Sequence, residues 1–210
     1  MGKKCLIIYS SLTGNTGKVA SRFKSTFEKN GWECDIFKID RKTDYMNPPF
    51  DFNDYDFCCA GSGLIMHLPS EEILNVIQKQ FFGIDPNIMK RNRYGDKLQL
   101  EVRSPDVPRN FSPHHKIVLS ETKKAVVFIT YAGFEFGPKE AKPALELLAL
   151  EIEHIGFKCI GQFCCPGKFP NDPTPHTYHG DIRNRPDERD LLKAEMFIEE
   201  KLEEIADRAV

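Results

Sequence analysis

The sequence lacks any apolar run approaching the roughly 20 residues that a membrane-spanning helix needs, which excludes a helical membrane protein. It has no basic excess: a formal net charge of −2 and a pI of about 6.3 exclude a nucleic-acid binder that works by charge. It has no Cys-x-x-Cys. The seven cysteines, Cys5, Cys34, Cys58, Cys59, Cys159, Cys164 and Cys165, are odd in number and lack iron–sulfur spacing. Most lie in apolar, strand-like runs and read as free core thiols of a cytoplasmic chain. Cys164-Cys165 is placed just past a strand, where exposure and a redox role are the alternative. Behind Met1-Gly2-Lys3-Lys4 only five apolar residues follow, too few for a signal peptide, so they read as a first strand. Leu6 stands where a myristoylation signal needs Ser or Thr.

Familiar phosphate motifs are missing too. A Walker A loop fails because Val19 follows Gly17-Lys18 and Leu12 replaces the first glycine. The glycines do not form Gly-x-Gly-x-x-Gly. Ser10 and Ser11, not carboxylates, end the first strand, which excludes a phosphoacceptor receiver domain.

What is present is an alternation of strand and helix patterns over 210 residues, 40% hydrophobic and 29% charged, enough for one buried domain over 1–210 with room for an insertion. Strands are expected at Lys3–Tyr9, Trp32–Ile39, Tyr55–Ala60, Ala125–Tyr131 and Phe157–Phe163. Helices are expected at Asn15–Asn30, with Gly31 as terminator, Pro69–Phe82, Pro138–Ile155 and from about Arg185 to Arg208. Parallel neighbours need helical crossovers, so this order implies a doubly wound parallel sheet. Ligands bind such sheets at the carboxyl ends of the strands, where the order reverses. The loops that leave the carboxyl ends of the first, third and fourth strands are Ser10–Thr16, Gly61–Pro69 and Tyr131–Gly137.

The first loop, Tyr9-Ser10-Ser11-Leu12-Thr13-Gly14-Asn15-Thr16-Gly17, joins a buried strand to a helix. A helix N-terminus presents unpaired N–H groups and the positive end of a dipole to an anion. Ser11, Thr13 and Thr16 add hydroxyl donors, and Gly14 permits positive φ. No cation falls inside the turn before Lys18, which suits a phosphate monoester held by neutral donors. The plain alternative is an ordinary strand-turn-helix capped by Asn15 or Thr16.

Ser11-Leu12-Thr13-Gly14-Asn15-Thr16 resembles the phosphate loop of the flavodoxin family, Thr/Ser-x-Thr/Ser-Gly-Asn-Thr, and Asp56-Phe57-Cys58-Cys59-Ala60-Gly61-Ser62 resembles its Asp-x-x-x-x-Gly-Ser. The resemblance implies an α/β fold, a flavodoxin-like three-layer α/β/α sandwich with a five-stranded parallel sheet of order 2-1-3-4-5. It implies FMN, with Ser10, Ser11, Leu12, Thr13, Gly14, Asn15 and Thr16 around the phosphate. It places Ser62, Gly63, Leu64, Ile65, Met66 and His67 along one edge of the flavin ring. Tyr131, Ala132, Gly133, Phe134 and Phe136 would form a second ring-binding loop whose N–H groups hold the pyrimidine edge and whose aromatics stack. The chain departs from the family in having no aromatic in Leu64-Ile65-Met66, Met66-His67 in place of a Gly-Asp-like turn, and a third loop with only Glu135 as acid.

An insertion, 83–116, is expected between the second helix and fourth strand; it carries seven Lys or Arg against four Asp or Glu. Within it, His114-His115 lacks the company a metal site needs. A stiff loop, Gly167–Asn184, holds His176, Tyr178, His179 and Asp181, with a histidine as proton donor or as a structural residue. Three functions stay open: an FMN carrier serving a redox partner protein, an NAD(P)H-dependent reductase of a quinone or other small-molecule electron acceptor, and a flavin-free interaction domain.

Overall fold

The structure, a computed structural model, describes residues 3–82, 120, 122–169 and 176–207. The expected insertion at 83–116, with His114-His115, lies outside the described residues. Five parallel strands form one sheet: β1 (Lys4–Ser10), β2 (Glu33–Lys38), β3 (Phe57–Gly63), β4 (Lys124–Tyr131) and β5 (Lys158–Pro166), in the order β2-β1-β3-β4-β5. Helices α1 (Asn15–Lys29) and α4 (Glu188–Asp207) cover one face, and α2 (Glu71–Phe82) and α3 (Lys142–His154) the other. A short antiparallel ribbon, β6 (His176–Thr177) with β7 (Gly180–Asp181), lies inside the segment expected as a loop after β5. Among the described residues no helix is long and apolar enough to cross a membrane.

The near-continuous apolar runs of β1, β3 and β4 follow from burial on both faces. Successive side chains alternate. Cys5, Ile7, Cys59, Val126 and Phe128 meet Val19, Phe23 and Phe27 of α1 and Ala194 and Ile198 of α4. Leu6, Ile8, Cys58, Ala60, Val127 and Ile129 meet Ile73, Val76 and Ile77 of α2 and Leu145, Leu148 and Ile152 of α3. Arg22 of α1 reaches Glu188 and Glu195 of α4, each at 2.9 Å, and fastens the outer edges of those two helices.

Several element boundaries differ from those the sequence suggests. Helix α1 is capped by Gly14, at φ 84°, and not by the side chain of Asn15 or Thr16. Its end does behave as the glycine at 31 implies: Trp32 N donates to Phe27 O at 3.1 Å and Gly31 takes φ 78°. Gly137–Glu140 forms a separate 3-10 turn, and α3 begins only at Lys142, so that Pro143 falls at the start of the helix. Strand β5 runs on through Cys164 and Cys165, so these thiols do not follow the strand but belong to it. All seven cysteines are free, and burial raises the pKa of the thiols of both Cys164 and Cys165.

Gly61-Ser62-Gly63 continues β3 instead of ending it, with Gly61 beside Phe128, Ser62 beside Ile129 and Gly63 beside Thr130. Its glycine is required by packing. A Cβ on Gly61 would lie 2.1 Å from the ring of Phe128, which packs edge-on against Phe23 at a centroid distance of 4.9 Å. We expect Gly61→Ala to destabilise the fold by about 1–3 kcal/mol through this overpacking, read as a lower urea midpoint. The loss should be smaller when Phe128→Leu is added, because the clash is with that ring.

Candidate functional site

The carboxyl ends of β1, β3, β4 and β5 open on a single cleft of about 400 Å³. Its location follows from topology. The chain leaves β1 toward the α1 face and β3 toward the α2 face, so the two loops part above the sheet.

One end of the cleft is built by the first loop. Ser10, Ser11, Leu12, Thr13, Asn15 and Thr16 line it. Gly14 forms the cap behind them and does not line the cleft. The first intrahelical bond runs from Lys18 N to Gly14 O, so the preceding amides of the first turn have no partner within the helix. That turn has no acidic residue. Ser11 Oγ is buried and has no hydrogen-bond partner among the described residues. A buried hydroxyl without a partner costs about 1–3 kcal/mol, so this end of the cleft is chemically incomplete as a purely internal surface. Asn15 Oδ1 is a second buried atom without a partner among the described residues, whereas Thr16 and the Asn15 amide nitrogen are engaged. Thr16 Oγ1 shares a hydrogen bond of 2.8 Å with Thr130 Oγ1, and Asn15 Nδ2 donates to Lys168 O at 2.8 Å.

The second loop is a tight turn. Ile65 and Leu68 exchange backbone hydrogen bonds of 2.9 Å in both directions, with Met66 at φ 48° and His67 at φ 67° between them. Two consecutive positive φ values define the turn that favours Asn-Gly, and side chains there are strained. Gly63, Leu64, Ile65, Met66 and His67 all line the cleft. Ser62 does not. It is fully buried, its Oγ donating to Gly63 O at 2.8 Å and accepting from Ser70 N at 2.8 Å. The Ser62 side chain, expected at the ring edge, thus lies behind the cleft lining, where its hydroxyl ties the two ends of the loop together. Ser70, whose own Oγ is buried without a partner among the described residues, lines the cleft instead.

The third loop brings Tyr131, Ala132 and Phe134 to the cleft, while Gly133 and Phe136 lie outside it. The amides of Glu135 and Phe136 are not available for a pyrimidine edge, because both donate to Glu140 Oε1, at 3.0 and 2.9 Å. Gly133 O accepts from Tyr178 N at 2.9 Å, and Tyr131 Oη lies 2.9 Å from His179 Nε2. The ribbon β6–β7 thus braces this loop from outside. Burial pushes the Tyr131 hydroxyl up, and partial burial, reinforced by the Arg185 guanidinium, holds His179 below the ordinary imidazole value. His179 is a brace and does not line the cleft.

Six cleft residues escape a motif-based reading: Ser70, Thr130, Glu140, Gly167, Lys168 and Phe169. Topology alone puts the loop after β5 on this edge of the sheet, which is the one signal that could have included the last three. Outside the polar end the walls are mainly apolar, with His67, Glu140 and Lys168 among them. Leu12 is 79% and Met66 89% exposed, and Phe134 meets Phe169 edge-on at a centroid distance of 5.2 Å. Among the described residues no group of His, Cys, Asp or Glu could hold a metal ion.

No family model and no curated protein matches the chain. Solved structures do match. A short-chain flavodoxin associated with a bacterial microcompartment is 12% identical with a TM-score of 0.56, the match covering 94% of this chain and 95% of that one. Flavodoxin 2 from Bacillus cereus is 16% identical with a TM-score of 0.53, covering 93% and 94%. The flavodoxin of Streptococcus pneumonia TIGR4 is 12% identical with a TM-score of 0.51, covering 93% and 95%. At these identities the likeness is one of fold: the chain has the flavodoxin-like α/β architecture, with the strand order that its sequence implied.

Two outcomes follow from the loops. Replacing Met66-His67 by Asn-Gly should relieve the turn and raise stability by about 0.5–1 kcal/mol, measured by urea unfolding. His179 has a folded-state pKa below its unfolded value of about 6.5, so its contribution is present above that pH and is lost as pH falls through it toward the folded value. The unfolding midpoint of His179→Gln should accordingly vary less between pH 7 and pH 5 than that of the unchanged protein.

Proposed function

We propose that the chain is an FMN-binding redox protein that transfers electrons through a non-covalently held flavin. One observation carries this reading: a buried Ser11 hydroxyl, unpartnered among the described residues, beside the open amides of α1, at the polar end of a mainly apolar cleft. A phosphate monoester would satisfy both, since its oxygens accept from the hydroxyl and from the amides at once. The likeness to flavodoxins in fold supports the same cofactor.

Ser11, Thr13 and the first-turn amides would hold the phosphate. Leu64, Ile65, Met66 and Phe134 offer the apolar surface that a flavin ring needs, and they keep water from it. Bound FMN supplies one- and two-electron chemistry, while the protein decides access and potential. Thr16 and Asn15 act as struts: Thr16 Oγ1 is tied to Thr130 and Asn15 Nδ2 to Lys168. The seven free thiols suit a reducing, cytoplasmic setting, and 1–210 is read as one domain.

Two kinds of electron acceptor fit, a partner protein and a small molecule. The exposed apolar side chains of Leu12, Met66 and Phe136 around the cleft favour the small, uncharged acceptor, with NAD(P)H as donor, over a carrier that docks on a basic partner through an acidic rim.

Titration of the flavin-free protein with FMN should quench flavin fluorescence with one-to-one stoichiometry. Ser11→Ala with Thr13→Ala should weaken FMN binding by about tenfold or more. This pair leaves the Thr16–Thr130 bond intact. Absence of any FMN binding by the unchanged protein would reject the proposal in favour of an interaction domain without flavin. Rapid anaerobic bleaching of the bound flavin by NAD(P)H would select the reductase over the carrier.

A further inference from the structure

We infer that the loop after β5, Gly167-Lys168-Phe169, is a fourth ligand-binding element of the cleft, in which Lys168 supplies the cation missing from the phosphate loop and Phe169 forms an aromatic wall. The inference rests on the FMN reading and adds residues to it.

Three contacts show that this loop is built into the site and does not merely pass it. Asn15, the phosphate-loop side chain nearest the helix cap, is buried, and its amide donates to Lys168 O at 2.8 Å. Gly167 N donates to Tyr131 O at 2.8 Å, which ties the loop to the end of β4, and Lys168 N donates to Arg185 O at 2.9 Å. The approach to Asn15 is so close that a Cβ on Gly167 would lie 2.6 Å from Asn15 Nδ2. With its backbone held on three sides, the loop has little freedom to withdraw, and its next two side chains are directed by that anchoring.

Those side chains both line the cleft. Lys168 is the one Lys or Arg among the described residues that does so, and no ion pair engages it among those residues. The phosphate loop brings only neutral donors, so a phosphate dianion there would be left with uncompensated charge, which an ammonium on an adjoining loop lowers in energy. Phe169 is about half exposed and meets Phe134 edge-on, at 76° between ring planes. The pair presents two aromatic surfaces from two different loops at the apolar part of the cleft, where a planar ring would gain contact with both. The chemistry recognised is thus a flat aromatic joined to a phosphate, and Lys168 and Phe169 read its two halves separately.

The test compares FMN with riboflavin, which has the ring and lacks the phosphate. Dissociation constants would be measured by fluorescence quenching for the unchanged protein, Lys168→Gln and Phe169→Leu, with circular dichroism confirming folding. Lys168→Gln should weaken FMN binding by about two- to fivefold, leave riboflavin unchanged, and flatten the dependence of FMN affinity on salt. Phe169→Leu should weaken both ligands by about the same factor. FMN and riboflavin affinities unchanged in both variants would overturn the inference while leaving the FMN reading intact. Equal loss of both ligands in Lys168→Gln would overturn the charge assignment. Failure of the unchanged protein to bind either ligand would remove the underlying reading and this one with it.

Discussion

The parallel sheet cannot close over β1. Its neighbours β2 and β3 lie on opposite sides, and the chain departs from β1 and β3 toward opposite faces. Because each crossover helix must pack on the face to which its strand delivers it, the loops after β1 and β3 diverge, and a crevice is left above the sheet. Everything at the site is a consequence of that divergence. The first loop offers a helix N-terminus to the crevice, the second turns tightly along its side, the third lines the end of β4, and the loop after β5 reaches back to Asn15 of the first.

The chemical character of the crevice comes from which polar groups find partners elsewhere. Thr16 Oγ1, Asn15 Nδ2, Ser62 Oγ and Glu140 Oε1 are engaged within the protein, and each thereby fixes a loop. Ser11 and Ser70 keep buried hydroxyl groups, and Asn15 a buried carbonyl oxygen, that nothing among the described residues satisfies. Groups of the first kind make the loops rigid, and groups of the second kind leave something for a ligand to bind. Preorganisation of this sort reduces the ordering that binding would otherwise require.

Packing constrains the site as strongly as polarity does. The ring of Phe128 occupies the space above Gly61, and Asn15 that beside Gly167. The first contact lets β3 run straight to the second loop. The second lets the loop after β5 come down on the phosphate loop. The strained Met66-His67 turn is the opposite case. There the backbone holds two residues with side chains in a conformation suited to Asn-Gly, and those side chains stay at the cleft.

The sequence by itself determined the alternation of strands and helices, their parallel arrangement and the turn chemistry of the first loop, while the strand order came from the resemblance to the flavodoxin family. These are local matters: the spacing of apolar residues records burial on one or both faces, and a glycine and hydroxyl-rich turn between a strand and a helix needs no distant partner. Strand ends were less legible, because Gly61 and Gly63 look like terminators until Phe128 is known to lie over one of them. The tertiary structure alone decided that Ser62 is a latch, that Asn15 is a strut, that the amides of Glu135 and Phe136 belong to Glu140, and that Gly167-Lys168-Phe169 joins the cleft. The bond from Asn15 to Lys168 connects positions 153 residues apart. No periodicity or motif encodes a hydrogen bond over that separation, since it exists only once both strands have taken their places in the sheet.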